Sequence, residues 1–221
     1  MQLQFSFIIP VYNRPDEIQE LLQSFTELEG DKDYEIVIVE DGSSIPSKEV
    51  IESFNTKLNI SYFPKENTGP GDSRNYGMKH AKGNYFIILD SDCILPSNYL
   101  KEVTKSLNDH YVDCFGGPDA AHESFSNLQK AINFAMTSFI TTGGIRGGKN
   151  SVDTFQPRSF NMGISKAAFK ATEGFGKLHP GEDPDLSIRL IKLGFKTKLK
   201  AKALFYGHLS GLKVRKSKEV R

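Results

Sequence analysis

Acidic and polar residues gather directly after three apolar segments of this sequence, and their side chains are of types that bind ligands. They are Val11-Tyr12-Asn13, Glu40-Asp41-Gly42-Ser43 and Asp90-Ser91-Asp92. Residues i and i+2 of an extended segment point the same way, so Asp90 and Asp92 are expected to face one site. Two carboxylates that close repel each other unless a cation lies between them, and Mg²⁺ and Mn²⁺ take oxygen ligands. The spacing therefore predicts a divalent-metal site, with a solvated turn as the alternative.

The elements that must position these clusters alternate along the first half of the chain. Apolar runs predict strands at Phe5–Ile9, Tyr34–Val39, Ile60–Phe63 and Tyr85–Leu89. Amphipathic segments predict helices that begin at Pro15, contain Val50–Phe54, and cover Asp72–Ala81 and Leu100–Leu107. This alternation predicts a parallel sheet with helices on both faces. Right-handed crossovers bring the carboxyl ends of the strands to one edge, where ligands bind in such sheets. All three clusters are therefore expected to face a common crevice.

The size and composition of the chain suit one α/β domain. It has 221 residues, 38% of them hydrophobic, and no linker divides it. We expect a single domain over 1–221. A net charge of +1 gives no field that would attract nucleic acid, so no nucleic-acid partner is expected.

The ends of the sequence and its cysteines bear on its location in the cell. No signal-peptide pattern follows Met1, no apolar run approaches the length that spans a bilayer, and Cys93 and Cys114 lack metal-ligand spacing. These features predict a cytoplasmic protein with two reduced thiols. The basic tail Lys213–Arg221 is interpreted as a solvated terminus. The alternative is a peripheral contact with anionic lipid at the inner face of the membrane.

Five short motifs, taken together and in order, resemble the family-two inverting glycosyltransferases of the GT-A fold. They are Pro10-Val11-Tyr12-Asn13, Glu40-Asp41-Gly42-Ser43, Asn67-Thr68-Gly69 with Arg74-Asn75-Tyr76-Gly77, Asp90-Ser91-Asp92 and Gly181-Glu182-Asp183. The resemblance covers about residues 5–210, and each motif alone is weak. It implies a GT-A-type single α/β domain with a mostly parallel central sheet, flanking helices and a Rossmann-like N-terminal half. It also implies a nucleotide-binding half at about 1–115 and an acceptor-binding, catalytic half at about 116–221.

The resemblance implies a role for each matching position in binding the donor. Pro10, Val11 and Asn13 would line the nucleotide pocket, and Asp41 would hydrogen-bond the base, usually uracil. Asn67, Gly69 and Arg74 would contact the ribose and diphosphate side of the donor. Asp90 would contact the ribose or the sugar, and Asp119 would lie near the donor sugar or the acceptor. Gly71 and Asp72 are also expected to open a helix, whose N-terminus favours anions.

The same resemblance implies the metal ligands and the catalytic carboxylates. Asp92 would bind Mn²⁺ or Mg²⁺, and His208 would complete the metal shell or contact the diphosphate; a structural or exposed His208 is equally compatible with the sequence. An inverting transfer needs one carboxylate to take the proton of the acceptor hydroxyl. We assign that base to Asp183, with Glu182 as a substitute or an acceptor ligand. The alternative is that Asp183, which precedes Pro184, only caps a helix.

The resemblance implies a hexosyl- or N-acetylhexosaminyl-transferase that uses a nucleotide-sugar donor, with UDP-sugar expected, and a carbohydrate or lipid-linked acceptor in polysaccharide biosynthesis. A sugar-1-phosphate nucleotidyltransferase is a rival, but such enzymes carry a glycine-rich basic loop after the first strand, where this chain has Val11-Tyr12-Asn13-Arg14. A non-catalytic nucleotide-sugar-binding module would have no use for Glu182 and Asp183. A dinucleotide-binding enzyme is disfavoured because no Gly-x-Gly-x-x-Gly follows the first strand.

Overall fold

The computed structural model describes residues 2–117, 119–120, 157–177, 181–199 and 205–207, with the backbone alone at 119–120, 199 and 205–207. The strands are β1 (Phe5–Val11), β2 (Tyr34–Asp41), β3 (Ile60–Lys65), β4 (Tyr85–Leu89), β5 (Cys93–Ile94), β6 (Cys114–Gly116), β7 (Asp119–Ala120), β8 (Asn161–Ser165), β9 (Thr197–Leu199) and β10 (Phe205–Gly207). The helices are α1 (Pro15–Thr26), α2 (Lys48–Phe54), α3 (Pro70–His80), α4 (Tyr99–Asp109), α5 (Lys166–Thr172) and α6 (Glu182–Lys192).

A seven-stranded sheet in the order β3-β2-β1-β4-β8-β6-β9 forms the centre of the domain. The strands β3, β2, β1 and β4 run parallel to one another, and β8 is antiparallel to both β4 and β6. A small second sheet has the order β5-β10-β7. The predicted α/β architecture, with a mostly parallel central sheet flanked by helices, is confirmed.

Two apolar cores cover the opposite faces of the large sheet. Successive residues of β1 alternate between them: Phe7 and Ile9 belong to one core, whereas Ile8 belongs to the other. The first core takes its helical side chains from α1, α2 and α4, and the second takes them from α3, α5 and α6. A strand that is buried on both faces reads as a continuous apolar run rather than as an alternating one, which is why the sequence marked β1, β2 and β4 clearly.

The boundaries differ from the predicted ones where polar residues continue a regular element. β1 extends through Pro10 to Val11, and β2 extends to Asp41, so the first residues of two polar clusters still belong to strands. Helix α3 begins at Pro70 rather than at Asp72, because Gly69 has a φ of +94° and directs the chain into the helix. Among the described residues, no helix has both the length and the apolarity that crossing a bilayer requires.

The two cysteines are buried and form no disulfide. Burial raises the pKa of the Cys93 thiol and of the Cys114 thiol well above the usual value, since a thiolate is poorly solvated in an apolar core. The prediction of two thiols is therefore confirmed, and both are expected to react slowly with alkylating reagents.

Close packing of β8 against β6 predicts a large effect of one methyl group. A Cβ added at Gly163 would overlap the ring of Phe115, which is fully buried. We expect Gly163→Ala to lower the free energy of unfolding by about 1–3 kcal/mol, the usual cost of overpacking a core. Urea denaturation of the variant measures this loss. Ser53→Ala, on the surface of α2, is the control. Gly30→Ala is unsuitable as a control because Gly30 has a positive φ, which strains any other residue.

Candidate active site

The carboxyl ends of β1, β2 and β4 meet at one cavity of about 380 Å³. It is lined by residues from the loops that follow these strands and from the start of α3: Pro10, Val11, Tyr12, Arg14, Asp41, Asn67, Gly69, Pro70, Arg74, Asp90, Ser91 and Asp92. The three polar clusters thus face one crevice, as parallel-sheet geometry requires. Of the predicted donor and metal residues, seven besides Asp92 line this cavity: Pro10, Val11, Asp41, Asn67, Gly69, Arg74 and Asp90.

A second cavity, of about 610 Å³, lies on the other side of the α3 N-terminus. It shares Gly69 and Pro70 with the first cavity, so the two are separated only by the start of this helix. Its lining includes Lys177 and Glu182. The predicted glutamate of the acidic pair therefore lies beside the predicted donor residues, although it is more than 80 residues further along the chain than Asp92.

The Asp41 carboxylate, only 4% exposed, is held by donors from two directions. The Lys65 ammonium donates to Oδ1 at 2.5 Å, and the backbone N–H groups of Thr68 and Gly69 donate to Oδ1 at 2.9 Å and to Oδ2 at 3.0 Å. Burial alone would raise the pKa of this carboxyl, but the hydrogen bonds from Lys65 and Thr68 outweigh burial and lower it. Asp41 is therefore an ionised, acceptor-only group in the cavity wall.

Asn13 and Asn67 fix the loops around Asp41. Asn13 has a φ of +54°, its side-chain oxygen accepts from the Ile45 N–H at 2.9 Å, and its own N–H donates to Ser43 Oγ at 2.7 Å. Asn13 is not among the lining residues, so its predicted donor contact stays a prediction. Asn67 lines the cavity and donates from Nδ2 to the Asp41 carbonyl at 2.9 Å.

Arg74 connects the donor side of the crevice to the acidic pair. Its side chain is buried, its Nη2 donates to Asp90 Oδ1 at 3.0 Å, and its Nη1 lies 3.9 Å from Glu182 Oε1. The guanidinium stacks over the Phe175 ring at 5.4 Å. Its Nε is buried and has no hydrogen-bond partner among the described residues. An unpaired buried donor is costly, so this N–H is well suited to receive an anionic ligand.

Asn75, next to Arg74, clamps the segment that precedes α6. Its side-chain amide forms two hydrogen bonds with the backbone of Phe175, accepting from the N–H and donating to the carbonyl, both at 2.8 Å. The two residues are separated by 100 positions. This amide–backbone pair ties α3 to the segment that leads to Glu182, and it explains why Arg74 and Glu182 lie close together.

Asp90 and Asp92 both line the first cavity, but on a turn between β4 and β5 rather than on an extended segment. Each carboxylate has an arginine partner: Asp90 pairs with Arg74, and Asp92 accepts from Arg14 Nη1 at 3.0 Å. Both are partly exposed to the cavity. The prediction that the two face one site is confirmed by the shared cavity, although the reason given for it, an extended backbone, is wrong.

The donor set at this turn fits a hard divalent cation. Mg²⁺ is usually bound by one or two carboxylates plus phosphates and water, rather than by a cage made only of protein groups. Two carboxylates at the cavity wall satisfy that requirement, and no cluster of three or more histidine, cysteine or acidic side chains that could hold a metal occurs within the described ranges. Asp92, the predicted metal ligand, would therefore be able to hold such an ion, with Asp90 beside it in the cavity wall.

The acidic pair opens helix α6. Gly181, with a φ of +128°, is the N-cap and Glu182 is the first helical residue. Asp183 is therefore not the N-cap, and the capping alternative is wrong in that form. Its Oδ2 instead accepts from the Ser159 N–H at 3.1 Å, on the segment that leads to β8, and its Oδ1 is buried without a hydrogen-bond partner among the described residues. Asp183 lines neither of the two cavities.

Two predicted residues lie where the structure gives little or nothing. Asp119 is in β7, but its side chain is not described, and His208 lies outside the described residues. Their predicted roles stay predictions. The sequence did not single out Arg14 or Lys65. Arg14 contacts Asp92, the predicted metal ligand, and Lys65 contacts Asp41, the residue predicted to bind the nucleobase. Neither has a local signal, because each pairs with a partner more than 20 positions away.

Comparison with known proteins finds relatives of this chain among glycosyltransferases. The family model described as glycosyl transferase family 2 matches residues 6–170. The poly(ribitol-phosphate) beta-N-acetylglucosaminyltransferase TarS of Staphylococcus aureus is 32% identical over 114 residues, which are 50% of this chain and 20% of TarS. The glycosyltransferase AglE of Haloferax volcanii is 31% identical over 139 residues, covering 56% of this chain and 45% of AglE.

Solved structures agree on the fold. S. aureus TarS 1–349 in complex with UDP-GlcNAc superposes with a TM-score of 0.71 at 24% identity, covering 93% of this chain and 58% of that one. The mannosyltransferase PcManGT from Pyrobaculum calidifontis, in complex with GDP-Man and Mn²⁺, gives 0.74 at 15% identity, covering 96% and 59%. This chain spans less than two thirds of each of these relatives. Because the family model covers most of its length and each of the predicted motifs except the last, the chain belongs to glycosyl transferase family 2.

Proposed function

We propose that this domain transfers a sugar from a nucleoside diphosphate donor to a hydroxyl group of a carbohydrate or lipid-linked acceptor, with inversion at the anomeric carbon. The observation that carries the proposal is the convergence of Asp41, Arg74 and Asp92 on one cavity, with Glu182 3.9 Å from Arg74. Such a transfer needs a hydrogen-bond acceptor for the nucleobase, a cation for the diphosphate, carboxylates for the metal and a carboxylate for the acceptor hydroxyl. Here these groups come from four separate parts of the sequence: Asp41, Arg74, the Asp90–Asp92 turn and the Glu182-Asp183 pair.

The donor lies across the α3 N-terminus in this proposal. Its base contacts Asp41, and its diphosphate lies between Arg74 and the first turn of α3, whose unpaired backbone N–H groups favour an anion. The helix has 11 residues and begins with Pro70, directly after Gly69, which lines both cavities. The absence of a side chain at Gly69 lets a phosphate approach the backbone closely. The sugar then points towards the second cavity, where Glu182 lies.

Asp92 and Asp90 would hold Mn²⁺ or Mg²⁺, which when bound neutralises charge that grows on the departing diphosphate. The chain's own cations would act beside it. Arg74 is fixed by Asp90, Glu182 and Phe175 and is already in place before the donor binds. Because its position costs no reorganisation at the moment of reaction, Arg74 can stabilise the leaving group through its Nε–H, which has no partner among the described residues. The Mn²⁺ bound to PcManGT supports use of a divalent ion within this fold.

Asp183 serves as the general base in this proposal. It removes the proton from the acceptor hydroxyl while that oxygen attacks the anomeric carbon and the bond to the diphosphate breaks. Its Oδ2 is fixed by the Ser159 N–H, whereas its Oδ1 is buried and lacks a partner among the described residues. A hydroxyl donor would satisfy that oxygen. Glu182, which faces Arg74, positions the arginine or contacts the acceptor.

The donor sugar and the acceptor are proposed from the relatives. TarS bound to UDP-GlcNAc supports an N-acetylhexosamine carried by UDP, and its name supports a polymeric acceptor that contains polyol phosphate. A hexose is the second choice. Work on such an acceptor would place the domain in the cytoplasm at the inner face of the membrane, where the basic tail Lys213–Arg221 would contact anionic lipid.

A thermal-shift screen of nucleotide sugars tests this function. Ligand binding raises the melting temperature by mass action, so a saturating UDP-sugar with Mn²⁺ is expected to shift the midpoint by about 4–12 °C, which corresponds to about 2–3 kcal/mol in a domain of this size. The same sugar without a nucleotide and the same nucleotide in EDTA are the controls. No shift with any UDP-, GDP-, CDP- or TDP-sugar would refute donor binding.

A further inference from the structure

The carboxylate of Asp41 has four acceptor positions, two on each oxygen, and hydrogen bonds from the described residues fill three of them. Oδ1 receives the Lys65 ammonium and the Thr68 N–H, so both of its positions are taken. Oδ2 receives one donor, the Gly69 N–H at 3.0 Å. The Ser73 hydroxyl is near enough to lower the pKa of this carboxyl, but it is buried and forms no hydrogen bond within the described part of the chain. One position on Oδ2 therefore has no donor among the described residues, in a side chain that lines the first cavity.

Lys65 is held in place as firmly as Asp41. It is the register partner of Asp41 in the β2–β3 pair, and its side chain is mostly buried. Its ammonium also donates to the Glu66 carbonyl at 2.9 Å and to Thr68 Oγ1, and Asp72 lies 3.5 Å away. Lys65 lines neither large cavity, so it acts from behind Asp41 and does not touch a ligand in the first cavity.

We propose that Lys65 determines nucleobase specificity, by occupying one oxygen of Asp41 so that the carboxylate presents a single acceptor to the base. This inference rests on the proposed function, in which Asp41 contacts the base. Uracil offers one imino N–H flanked by two carbonyl groups, which a single acceptor satisfies. Guanine offers two adjacent N–H donors, and pairing both needs both carboxylate oxygens. With Oδ1 filled by Lys65 and Thr68, one guanine N–H would be left unpaired, which is costly in a buried site.

The charge of Lys65 has a separate effect, on the ionisation of Asp41. The charged groups around this carboxylate are Lys65 on β3 and, beyond it, Asp72 on α3. With Lys65 present the pKa of Asp41 is lowered, so the acceptor is ionised at every pH above the usual carboxyl range. Without the cation, the hydrogen bond and the charge of Lys65 no longer lower that pKa, which therefore rises relative to the wild-type chain, although Thr68 and Ser73 still lower it. Base binding would then weaken as the pH falls, because a protonated carboxyl loses acceptor capacity.

Two variants separate the hydrogen bond from the charge. Lys65→Met removes both, whereas Lys65→Gln keeps a donor for Oδ1 and removes the charge. The probes are UMP and GMP, titrated calorimetrically at pH 7 and pH 5 without metal, so that the result does not depend on Asp92. Lys48→Met, at an exposed ion pair on α2, is the matched control. Circular dichroism and the melting temperature establish that each variant is folded.

The wild-type chain is expected to bind UMP at least about tenfold more tightly than GMP, the effect of one hydrogen bond left unmade. Lys65→Met should bring the two dissociation constants together and make UMP binding weaken from pH 7 to pH 5. Lys65→Gln should keep the preference for UMP and acquire the same pH dependence. Lys48→Met should behave as the wild type.

Three outcomes would overturn the inference. A wild-type chain that binds GMP as tightly as UMP contradicts the single-acceptor argument. Unchanged affinities and pH profiles in both Lys65 variants, with UMP binding still lost in Asp41→Asn, would limit Lys65 to a structural role and leave the proposed function intact. Failure of the folded wild-type chain to bind either nucleotide would refute the donor site itself, and the specificity argument with it.

Discussion

Replacing Asp92 with asparagine is expected to lower metal-dependent sugar transfer by about 10³-fold, because a cation that stabilises a leaving group is worth several kcal/mol. Asparagine keeps the size of the side chain and removes the charge that would hold the ion. The measurement is the initial rate of UDP release from a UDP-sugar over a range of Mn²⁺ concentrations. A raised Mn²⁺ requirement together with a lower maximal rate would identify Asp92 as the metal ligand.

The fold is expected to survive this substitution. Asp92 pairs with Arg14 at 3.0 Å, but both side chains are partly exposed, and such pairs contribute only about 0–1 kcal/mol. The melting temperature should therefore change little. Asp109→Asn, at an exposed position at the end of α4, is the matched control for loss of one carboxylate. Turnover that stays at the wild-type rate in Asp92→Asn would contradict the metal assignment.

Replacing Asp183 with asparagine is expected to remove transfer by about 10²–10⁴-fold, the usual contribution of a positioned general base. Donor binding should be retained, because Asp183 lines neither the first nor the second cavity. The side-chain oxygen of asparagine can still accept from the Ser159 N–H, so the contact that Asp183 makes at 3.1 Å is preserved. The measurements are the transfer rate and the dissociation constant for UDP with Mn²⁺.

Glu182→Gln is the comparison that tests which carboxylate is the base. Glu182 lies 3.9 Å from Arg74, so the loss of its charge should weaken donor binding while part of the transfer activity remains. If Glu182→Gln loses transfer at full donor affinity and Asp183→Asn keeps it, the two assignments must be exchanged. If Asp183→Asn fails to fold, its bond to the segment before β8 is its main role.

Much of the fold could be predicted because the buried strands are apolar on both faces. The span of β4, Tyr85–Leu89, agrees with the prediction, whereas β1 and β2 are each two residues longer in the structure than predicted. The extensions were missed because Pro10 and the acidic end of β2 read as loop, although the sheet register continues through them. Hydrogen bonds between strands fixed these residues, and local propensity did not reveal them.

The sequence predicted which residues of the site lie at the carboxyl-terminal edge of the sheet. It did not predict which of those residues pair with one another. Lys65 looks like an ordinary surface lysine at the end of an edge strand, and only the register of β2 against β3 shows that it faces Asp41. Helical spacing from Leu186 and Leu190 would place Leu193 on the apolar face of α6, but Leu193 lies at the C-cap and is 56% exposed. Helical spacing loses its meaning where the helix ends.

Calorimetric titration of UDP into the wild-type chain, with Mn²⁺ or with EDTA, measures nucleotide binding and its metal dependence together. The proposed mechanism needs one crevice that binds the nucleotide through Asp41 and a cation that Asp92 would hold beside the diphosphate. It predicts measurable binding that is at least about tenfold tighter with Mn²⁺ than with EDTA, and a difference that disappears in Asp92→Asn. Equal affinity under both conditions in the wild-type chain, or no binding at all, would contradict it.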